Sequence, residues 1–327
     1  MKAILCKELG DADKLVIEDV PDPIPGAGEV LVDVKAAALN FPDTLIIAGK
    51  YQFKPDLPFS PGGEAAGPVS ALGAGVEGVA VGDRVITTTL WGAFAEKLVV
   101  PVDSLLPMPG GMSDTVAASI SITYGTSYYA LRRRADLQPG ETLLVLGAAG
   151  GVGLTAVELG KCLGARVIAA ASSEDKLDVA CEAGADERIN YAQESLKERA
   201  KSLTGGKGVD VIYDPVGGEF SEQAFRAIGW GGRHLVIGFA SGEIPRLPLN
   251  LTLLKSASVV GVFWGAWTKS FPQEWKRDFG DLSEMFADGR LTPNVSQVYN
   301  FEDYTKAFEC LTRRRAKGKV VLNISGA

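Results

Sequence analysis

Apolar and polar positions alternate in three different ways along the 327 residues of this chain. In the first region, which runs to about residue 117, short apolar runs such as 29–34, 81–86 and 97–100 are separated by turns rich in glycine and proline. Short strands at this spacing are typical of a partly open antiparallel barrel. Prolines then interrupt the pattern, and a helix is predicted to begin near Ser113 or Asp114.

The middle region alternates between strand and helix patterns. The predicted strands are 142–146, 166–170, 209–213 and 233–238, and the predicted helices are 151–164, 174–183, 192–203 and 219–228. This alternation is typical of an α/β fold with a doubly wound parallel sheet of the Rossmann type. An apolar run at 258–263 is expected to form the last strand, at the edge of that sheet.

The C-terminal region returns to a helix pattern at about 302–315 and a strand pattern at 318–323. We assign this region to the first domain, which makes the parallel sheet an insertion. The predicted domains are therefore 1–117 plus 264–327, which forms the barrel and the substrate side, and 118–263, which forms the nucleotide-binding side.

A glycine-rich turn joins the first predicted strand of the parallel sheet to the helix that follows it. The turn reads Gly147-Ala148-Ala149-Gly150-Gly151-Val152-Gly153, with alanine at position 148 where the stricter dinucleotide pattern has glycine. Backbone N–H groups and a helix N-terminus at such a turn bind a pyrophosphate, and glycine permits the close approach. Strand, turn, helix and next strand in this order predict a dinucleotide site that uses Ala149, Gly150, Gly151 and Val152.

The end of the second strand distinguishes NAD from NADP. NAD-binding chains place Asp or Glu there, about 20 residues beyond the glycines, and that carboxylate would repel a 2′-phosphate. This chain has Ser172 and Ser173, followed by Lys176, which suit a 2′-phosphate by hydrogen bonding and charge. Alternatively the serines cap the next helix, where Glu174 and Asp175 favour its positive end. We favour NADP over NAD.

Composition narrows the partners and the compartment. The net charge of −7 argues against nucleic acid or an anionic membrane as a partner. The four cysteines, Cys6, Cys162, Cys181 and Cys310, have no metal-binding spacing and are interpreted as buried or free thiols. The sequence shows no signal-peptide pattern and no apolar run approaching about 18 residues. We expect a soluble, cytoplasmic protein.

Short motifs along almost the whole chain carry a family resemblance. They are Ala38-Leu39-Asn40-Phe41-Pro42-Asp43, Gly49-Lys50-Tyr51, Pro61-Gly62-Gly63-Glu64-Ala65-Ala66-Gly67, Gly82-Asp83-Arg84-Val85, Tyr124-Gly125-Thr126, Ala148-Ala149-Gly150-Gly151-Val152-Gly153, Asn190-Tyr191 and Gly318-Lys319-Val320-Val321. With these motifs the chain resembles the medium-chain dehydrogenase/reductase superfamily, and within it the zinc-free NADPH:quinone oxidoreductases related to zeta-crystallin. The resemblance implies a Rossmann domain inserted into a GroES-like barrel domain, with NADPH as the cofactor.

The metal-binding positions of the zinc alcohol dehydrogenases are changed in this chain. Those relatives carry cysteine near Asn40 and a G-H-E triplet, in which Gly63 here takes the place of the histidine. The single histidine, His234, falls in a predicted core strand. Because a catalytic zinc needs about three N, S or O ligands in close array, we expect no metal. Hydride transfer to an acceptor that is already electrophilic, such as a quinone or a conjugated C=C, needs no strong Lewis acid.

The resemblance also implies roles for residues outside the glycine turn. Asn40 and Tyr51 are expected beside the nicotinamide, and the matching tyrosine of the related enoyl-thioester reductases is the proton donor. Alternatively, Tyr51 packs on the loop that follows it. Asp43 is expected to cap a short helix, and Trp264 is expected either to wall the substrate pocket or to belong to the core. The remaining expected cofactor contacts are Thr123, Thr126, Tyr191, Phe239, Ser241 and Lys319.

Three functions remain open from the sequence. The leading hypothesis is an NADPH-dependent quinone reductase. A reductase of 2-enals, enones or enoyl thioesters needs the same fold and also no metal. A nucleotide-binding protein without turnover, such as a crystallin, is the third hypothesis. Since a bare apolar edge strand promotes aggregation, the run 258–263 is also predicted to pair with its twin across a two-fold axis in a homodimer.

Overall fold

The structure, a computed structural model, describes residues 1–324. Its contacts divide into two units. Unit 1 comprises Met1–Ile122 together with the chain from Phe279 onward, and unit 2 comprises Thr123–Asp278.

Both limits of unit 2 lie later in the chain than the predicted limits of the nucleotide-binding domain. The segment 264–278, which we expected in the barrel domain, groups with unit 2. Trp264 packs edge to face on Trp275 at a ring-centroid distance of 5.0 Å, and Arg133 forms a 2.6 Å ion pair with Asp278. These contacts explain why the segment groups with unit 2, while the limits of the folding domains stay a prediction.

The secondary structure elements are as follows. The strands are β1 (Lys2–Leu5), β2 (Val16–Asp19), β3 (Glu29–Asp33), β4 (Ala36–Leu39), β5 (Glu64–Leu72), β6 (Arg84–Thr88), β7 (Lys97–Pro101), β8 (Leu105–Pro107), β9 (Thr142–Leu146), β10 (Arg166–Ala171), β11 (Glu187–Asn190), β12 (Val209–Asp214), β13 (Ile228–Val236), β14 (Ser258–Gly261), β15 (Val295–Asn300) and β16 (Lys319–Asn323). The helices are α1 (Phe41–Ile47), α2 (Asp114–Ala117), α3 (Ser121–Tyr128), α4 (Gly151–Cys162), α5 (Glu174–Glu182), α6 (Leu196–Leu203), α7 (Gly218–Arg226), α8 (Asn250–Lys255), α9 (Trp264–Ser270), α10 (Pro272–Ala287) and α11 (Tyr304–Thr312).

Unit 1 is built on a mostly antiparallel sheet in which β4 occupies a central place. The sheet runs β15-β16-β4-β5-β3-β7, and β6 joins it by pairing with β5 and β8. The side chains of β4 are three alanines and a leucine, all buried. β16 pairs with β4 so that Val320 lies opposite Leu39. This register brings Lys319, near the C-terminus, beside the start of α1.

Unit 2 contains a parallel sheet in the order β11-β10-β9-β12-β13-β14. Every pairing in it is parallel. The predicted doubly wound sheet is therefore confirmed, and so is the edge position of β14, although β14 ends at Gly261 rather than at residue 263. His234 is fully buried in β13, as the sequence predicted.

Helix starts follow their capping residues. The helix expected near Ser113 begins at Asp114, and the Ser113 hydroxyl accepts a 3.4 Å hydrogen bond from the Val116 N–H. The helix predicted from residue 192 begins only at Leu196, because Ser195 caps it by accepting a 3.3 Å bond from the Glu198 N–H. The pattern missed β11, β15 and the helices α8, α9 and α10. β11 reads Glu-Arg-Ile-Asn and so lacks the apolar run used to recognise its neighbours.

No helix among the described residues combines the length and the apolar character needed to cross a membrane.

Candidate functional site

The glycine turn of unit 2 lets the N-terminus of α4 approach the end of β9 closely. Gly147 has φ 58°, a conformation that favours glycine. A Cβ added to Gly153 would lie 2.2 Å from the Gly147 carbonyl oxygen, so no larger residue fits there without a shift of the backbone. Gly150 is the N-cap and supplies no side-chain cap. Because the first N–H groups of a helix have no intrahelical acceptor, this turn presents donors at the positive end of α4 and fits a pyrophosphate.

The end of β10 brings two of the predicted 2′-phosphate residues together. The Lys176 Nζ lies 3.4 Å from the Ser172 hydroxyl. Ser173 stands at the N-cap of α5 but makes no capping hydrogen bond, and its hydroxyl bonds to Asp175 instead. Glu174 accepts a 2.7 Å bond from the Asn190 side-chain amide. An ammonium and a hydroxyl therefore lie side by side where a 2′-phosphate is expected.

The other cofactor residues predicted in unit 2 lie on separate elements. The ring of Tyr191, just after β11, packs on Phe220 with centroids 4.2 Å apart. Thr123 is buried and Thr126 half-buried on α3. Phe239, which is 38% exposed, and Ser241 lie in the loop after β13. Their contacts with a cofactor stay predictions.

Unit 1 contains a buried cluster of charged and polar groups, formed by Asn40, Glu64, Lys319 and Ser121. The Lys319 ammonium donates to Glu64 Oε1 at 2.7 Å, to Asn40 Oδ1 at 2.7 Å and to the Leu39 carbonyl at 3.1 Å. Glu64 Oε1 also accepts from Asn40 Nδ2 at 2.9 Å. Its Oε2 accepts from the Ser121 hydroxyl at 2.8 Å and from a backbone N–H at 3.0 Å. Each proton of the Lys319 ammonium has an acceptor, and both oxygens of the Glu64 carboxylate accept hydrogen bonds from protein donors.

These bonds bear on two predicted roles. Both ends of the Asn40 amide are held within the cluster, by Lys319 and by Glu64. Lys319, which we expected to reach the cofactor, is only 6% exposed and directs its ammonium to Glu64 and Asn40. The structure therefore shows both residues in positioning contacts, and any contact of either with substrate or cofactor stays a prediction.

Asp43 and Tyr51 adjoin this cluster. Asp43 caps α1, as predicted, by accepting a 2.7 Å bond from the Asn40 N–H. Burial raises the pKa of the Asp43 carboxyl to about 7. Burial and then the charge of Asp43 raise the pKa of Tyr51, which keeps its phenol protonated at neutral pH. The Tyr51 ring also lies 6.1 Å from the ring of Phe53, so the predicted packing on the following loop is present as well.

Trp264 belongs to the packed interior of unit 2. It is 5% exposed, and a Cβ on Gly125 would lie 2.6 Å from its ring. Trp264 was expected either to wall the substrate pocket or to belong to the core, and these contacts are those of a core residue. Its neighbour Trp267 stacks on Tyr129 at 4.6 Å and lies under the Arg133 guanidinium.

Sequence reasoning missed the central part played by Glu64. It appeared only as part of a motif, yet a carboxylate at the start of the apolar strand β5 is a signal, and so is the lysine that opens β16. A buried charge of either sign requires a partner. The sequence pattern could not predict that Glu64 and Lys319 pair with each other, because they are 255 positions apart.

Comparisons with known proteins identify the relatives of this chain. A model described as alcohol dehydrogenase GroES-like domain matches residues 26–110, and one described as zinc-binding dehydrogenase matches residues 151–282. The quinone oxidoreductase-like protein 2 homolog of Nematostella vectensis is 41% identical over 326 residues, covering 98% of this chain and 88% of that protein. The GroES-like domain expected from the resemblance is thus confirmed.

Two of the similar solved structures match this chain over almost its whole length. The Escherichia coli quinone oxidoreductase, solved in complex with NADPH, has a TM-score of 0.92 and 32% identity, covering 99% of this chain and 100% of that one. The CurK enoyl reductase has a TM-score of 0.89 and 27% identity, covering 98% of each chain.

The zinc implied by one of these descriptions does not fit the residues present. Among residues 1–324, no group of three or more His, Cys, Asp or Glu side chains is arranged to hold a metal ion. Gly63 supplies no ligand, and Glu64 is already bonded to an ammonium.

Replacing Lys319 by Met is expected to leave Glu64 buried without its cation. Removing one partner of a buried ion pair is strongly destabilising, so the free energy of unfolding, measured by urea denaturation, should fall by about 3–5 kcal/mol. Adding Glu64→Gln should recover part of the loss. The control is Lys306→Met, which breaks an ion pair whose side chains are 69% and 36% exposed and should cost less than about 1 kcal/mol. Equal effects of the two lysine substitutions would contradict the buried pair.

Proposed function

Because this chain belongs to the quinone oxidoreductase family of the medium-chain dehydrogenases/reductases, we propose that it is an NADPH-dependent oxidoreductase that reduces quinones. The observation that carries the proposal is the glycine turn at the N-terminus of α4, together with the paired Ser172 and Lys176 at the end of β10. These features would provide backbone donors for a pyrophosphate and an ammonium for a 2′-phosphate at the ends of two neighbouring strands. The NADPH complex of the Escherichia coli relative supports the choice of cofactor.

The division of labour follows from the residues. NADPH supplies the hydride when bound. The backbone N–H groups of Gly151 and Val152 would hold the diphosphate, and Lys176 would neutralise the 2′-phosphate. In unit 1 the Lys319–Glu64 pair fixes Asn40. Holding reactants in a fixed geometry contributes much of the rate in reactions of this kind.

A quinone needs little further help from the protein. Hydride transfer gives the hydroquinone monoanion, and water can supply the one remaining proton to its anionic oxygen. A conjugated C=C needs a proton at carbon, which calls for a placed donor. Tyr51 is the donor we propose for that alternative reaction, because the matching tyrosine of the enoyl-thioester reductases is the proton donor and a phenol is protonated at neutral pH. The likeness to the CurK enoyl reductase favours keeping this second function.

Tyr51→Phe separates the two reactions. We expect turnover of a 2-alkenal or crotonyl-CoA to fall by about tenfold or more, since general acid catalysis contributes about 10²–10⁴-fold. Reduction of 1,4-benzoquinone and 9,10-phenanthrenequinone should be nearly unchanged. NADPH oxidation followed by its absorbance, for wild type and variant against this panel, gives both values.

The panel also tests the proposed function itself. Turnover of the quinones by the wild type supports it, whereas turnover of only the enoyl substrates would establish the alternative. If the wild type binds NADPH but reduces none of these acceptors, the third hypothesis, a nucleotide-binding protein without turnover, would be supported.

Lys176→Ala tests the choice of NADPH over NADH. Loss of the ammonium should raise the KM for NADPH by about tenfold, because a charge-assisted bond to phosphate is lost, and should leave the KM for NADH almost unchanged. Glu182→Ala, a change of an acidic residue at the other end of the same helix, is the matched control and should alter neither KM. Equal changes for both cofactors in Lys176→Ala would overturn the assignment.

We further propose a homodimer formed through the edge strand β14. Val259 in this strand is 41% exposed, and the preceding helix α8 exposes Leu253 by 81% and Leu254 by 64%. An exposed apolar edge strand promotes aggregation unless another chain or element covers it. Sedimentation velocity should show a dimer for the wild type and a monomer for Val259→Lys, whereas a wild-type monomer at every concentration would refute the interface.

A further inference from the structure

The buried Asp214 carboxylate, at the end of β12, receives four hydrogen bonds. Its Oδ1 accepts from the N–H groups of Val216 and Gly217, each at 2.9 Å. Its Oδ2 accepts from the Ser221 hydroxyl and lies 3.1 Å from His234 Nε2. Burial raises the pKa of Asp214, but the hydrogen bonds from His234, Ser221 and Gly217 outweigh it, so the pKa is lowered and the group is ionised.

His234 faces this carboxylate from the neighbouring strand β13. It is fully buried, and its Nδ1 has no hydrogen-bond partner among residues 1–324. The ring of Phe225 packs against it at a steep angle, with centroids 5.6 Å apart. The ring nitrogen that faces the carboxylate is Nε2, so a hydrogen bond to Asp214 requires a proton on that nitrogen. His234 is thus a donor to Asp214.

The loops that follow these two strands are joined by backbone hydrogen bonds. Ala240 donates to the Pro215 carbonyl at 3.0 Å, and Ser241 donates to the Val216 carbonyl at 2.8 Å. The contact is close, because a Cβ on Gly217 would lie 3.1 Å from the Phe239 ring. The turn held by Asp214 is therefore the surface on which the loop 237–243 rests.

We propose that Asp214 and His234 are positioning residues that hold the loop 237–243 in shape to receive the nicotinamide half of the cofactor. This inference rests on the proposed function, in which Phe239 and Ser241 meet that half. The His234 imidazole holds Asp214 Oδ2, and this orients Oδ1 toward the backbone N–H groups of the turn after β12. That turn supports the loop after β13 through the backbone hydrogen bonds described above. Among the described residues, the Ser172–Lys176 pair has no part in this chain of contacts. Gly147 of the pyrophosphate turn borders it only through the side chains of Val216 and Pro215.

The test compares a whole cofactor with its adenosine half. His234→Leu removes the donor but keeps an apolar side chain against Phe225. Affinity for NADPH should fall by about tenfold, since a hydrogen bond to a buried charge is lost, while affinity for 2′,5′-ADP should change by less than about twofold. Binding is measured by calorimetry. The intact 2′,5′-ADP site also shows that the variant is folded.

Two further variants separate positioning from general stabilisation. His234→Gln can place an amide N–H near the position of Nε2 and should restore most of the NADPH affinity. Ser221→Ala removes another donor to the same Oδ2 and should likewise lower the affinity for NADPH more than the affinity for 2′,5′-ADP. Because the chain has a single histidine, ¹⁵N NMR of the wild type reads its tautomer directly and should show the proton on Nε2.

The outcomes are distinct. Parallel loss of NADPH and 2′,5′-ADP affinity in His234→Leu, or no loss of either, overturns the positioning role while the proposed function stands. A wild-type tautomer that carries its proton on Nδ1 and none on Nε2 also overturns it. Failure of the wild type to bind either ligand overturns the proposed function and this inference with it.

Discussion

The close approach of α4 to the end of β9 is the constraint on which the function of this chain depends. With 2.2 Å between the Gly147 carbonyl oxygen and the place of a Cβ on Gly153, only glycine keeps the helix N-terminus at the strand end. That position leaves uncapped N–H groups at the positive end of a helix of 12 residues. A pyrophosphate is bound by such a group of donors without any charged side chain, which leaves side-chain charge free to discriminate at the 2′ position.

Unit 1 solves a different electrostatic problem. Glu64 is completely buried, and an isolated buried carboxylate would be very costly. The chain neutralises it with the Lys319 ammonium and completes the bonding of both groups with amide, hydroxyl and backbone partners. Since fully satisfied polar networks are rigid, the cluster fixes the start of α1 and with it the capping carboxylate of Asp43. The Lys319 ammonium is thus a fixed cation beside Glu64, the carboxylate of the family motif.

Unit 2 also contains a buried carboxylate whose charge is compensated by protein groups. Asp214 is also buried, and it is compensated by hydrogen bonds from a turn, a helix and the neighbouring strand rather than by a cation. Both buried carboxylates lie at the end or the start of a strand, where the chain changes direction. In each case a single charge holds backbone groups that regular secondary structure leaves without partners.

The sequence by itself determined the parallel sheet, its edge strand, the glycine turn and the family, because periodicity and turn residues act over a few neighbouring positions. It also placed Ser172 and Lys176, which are four positions apart, on one helix start. It failed for β11, whose charged residues hide a strand, and for the helices α9 and α10. Only the tertiary structure decided the partners of Lys319, Glu64, Asp214 and His234. These pairs join residues that are far apart in the chain, and burial, which selects such partners, exists only once the sheets have formed.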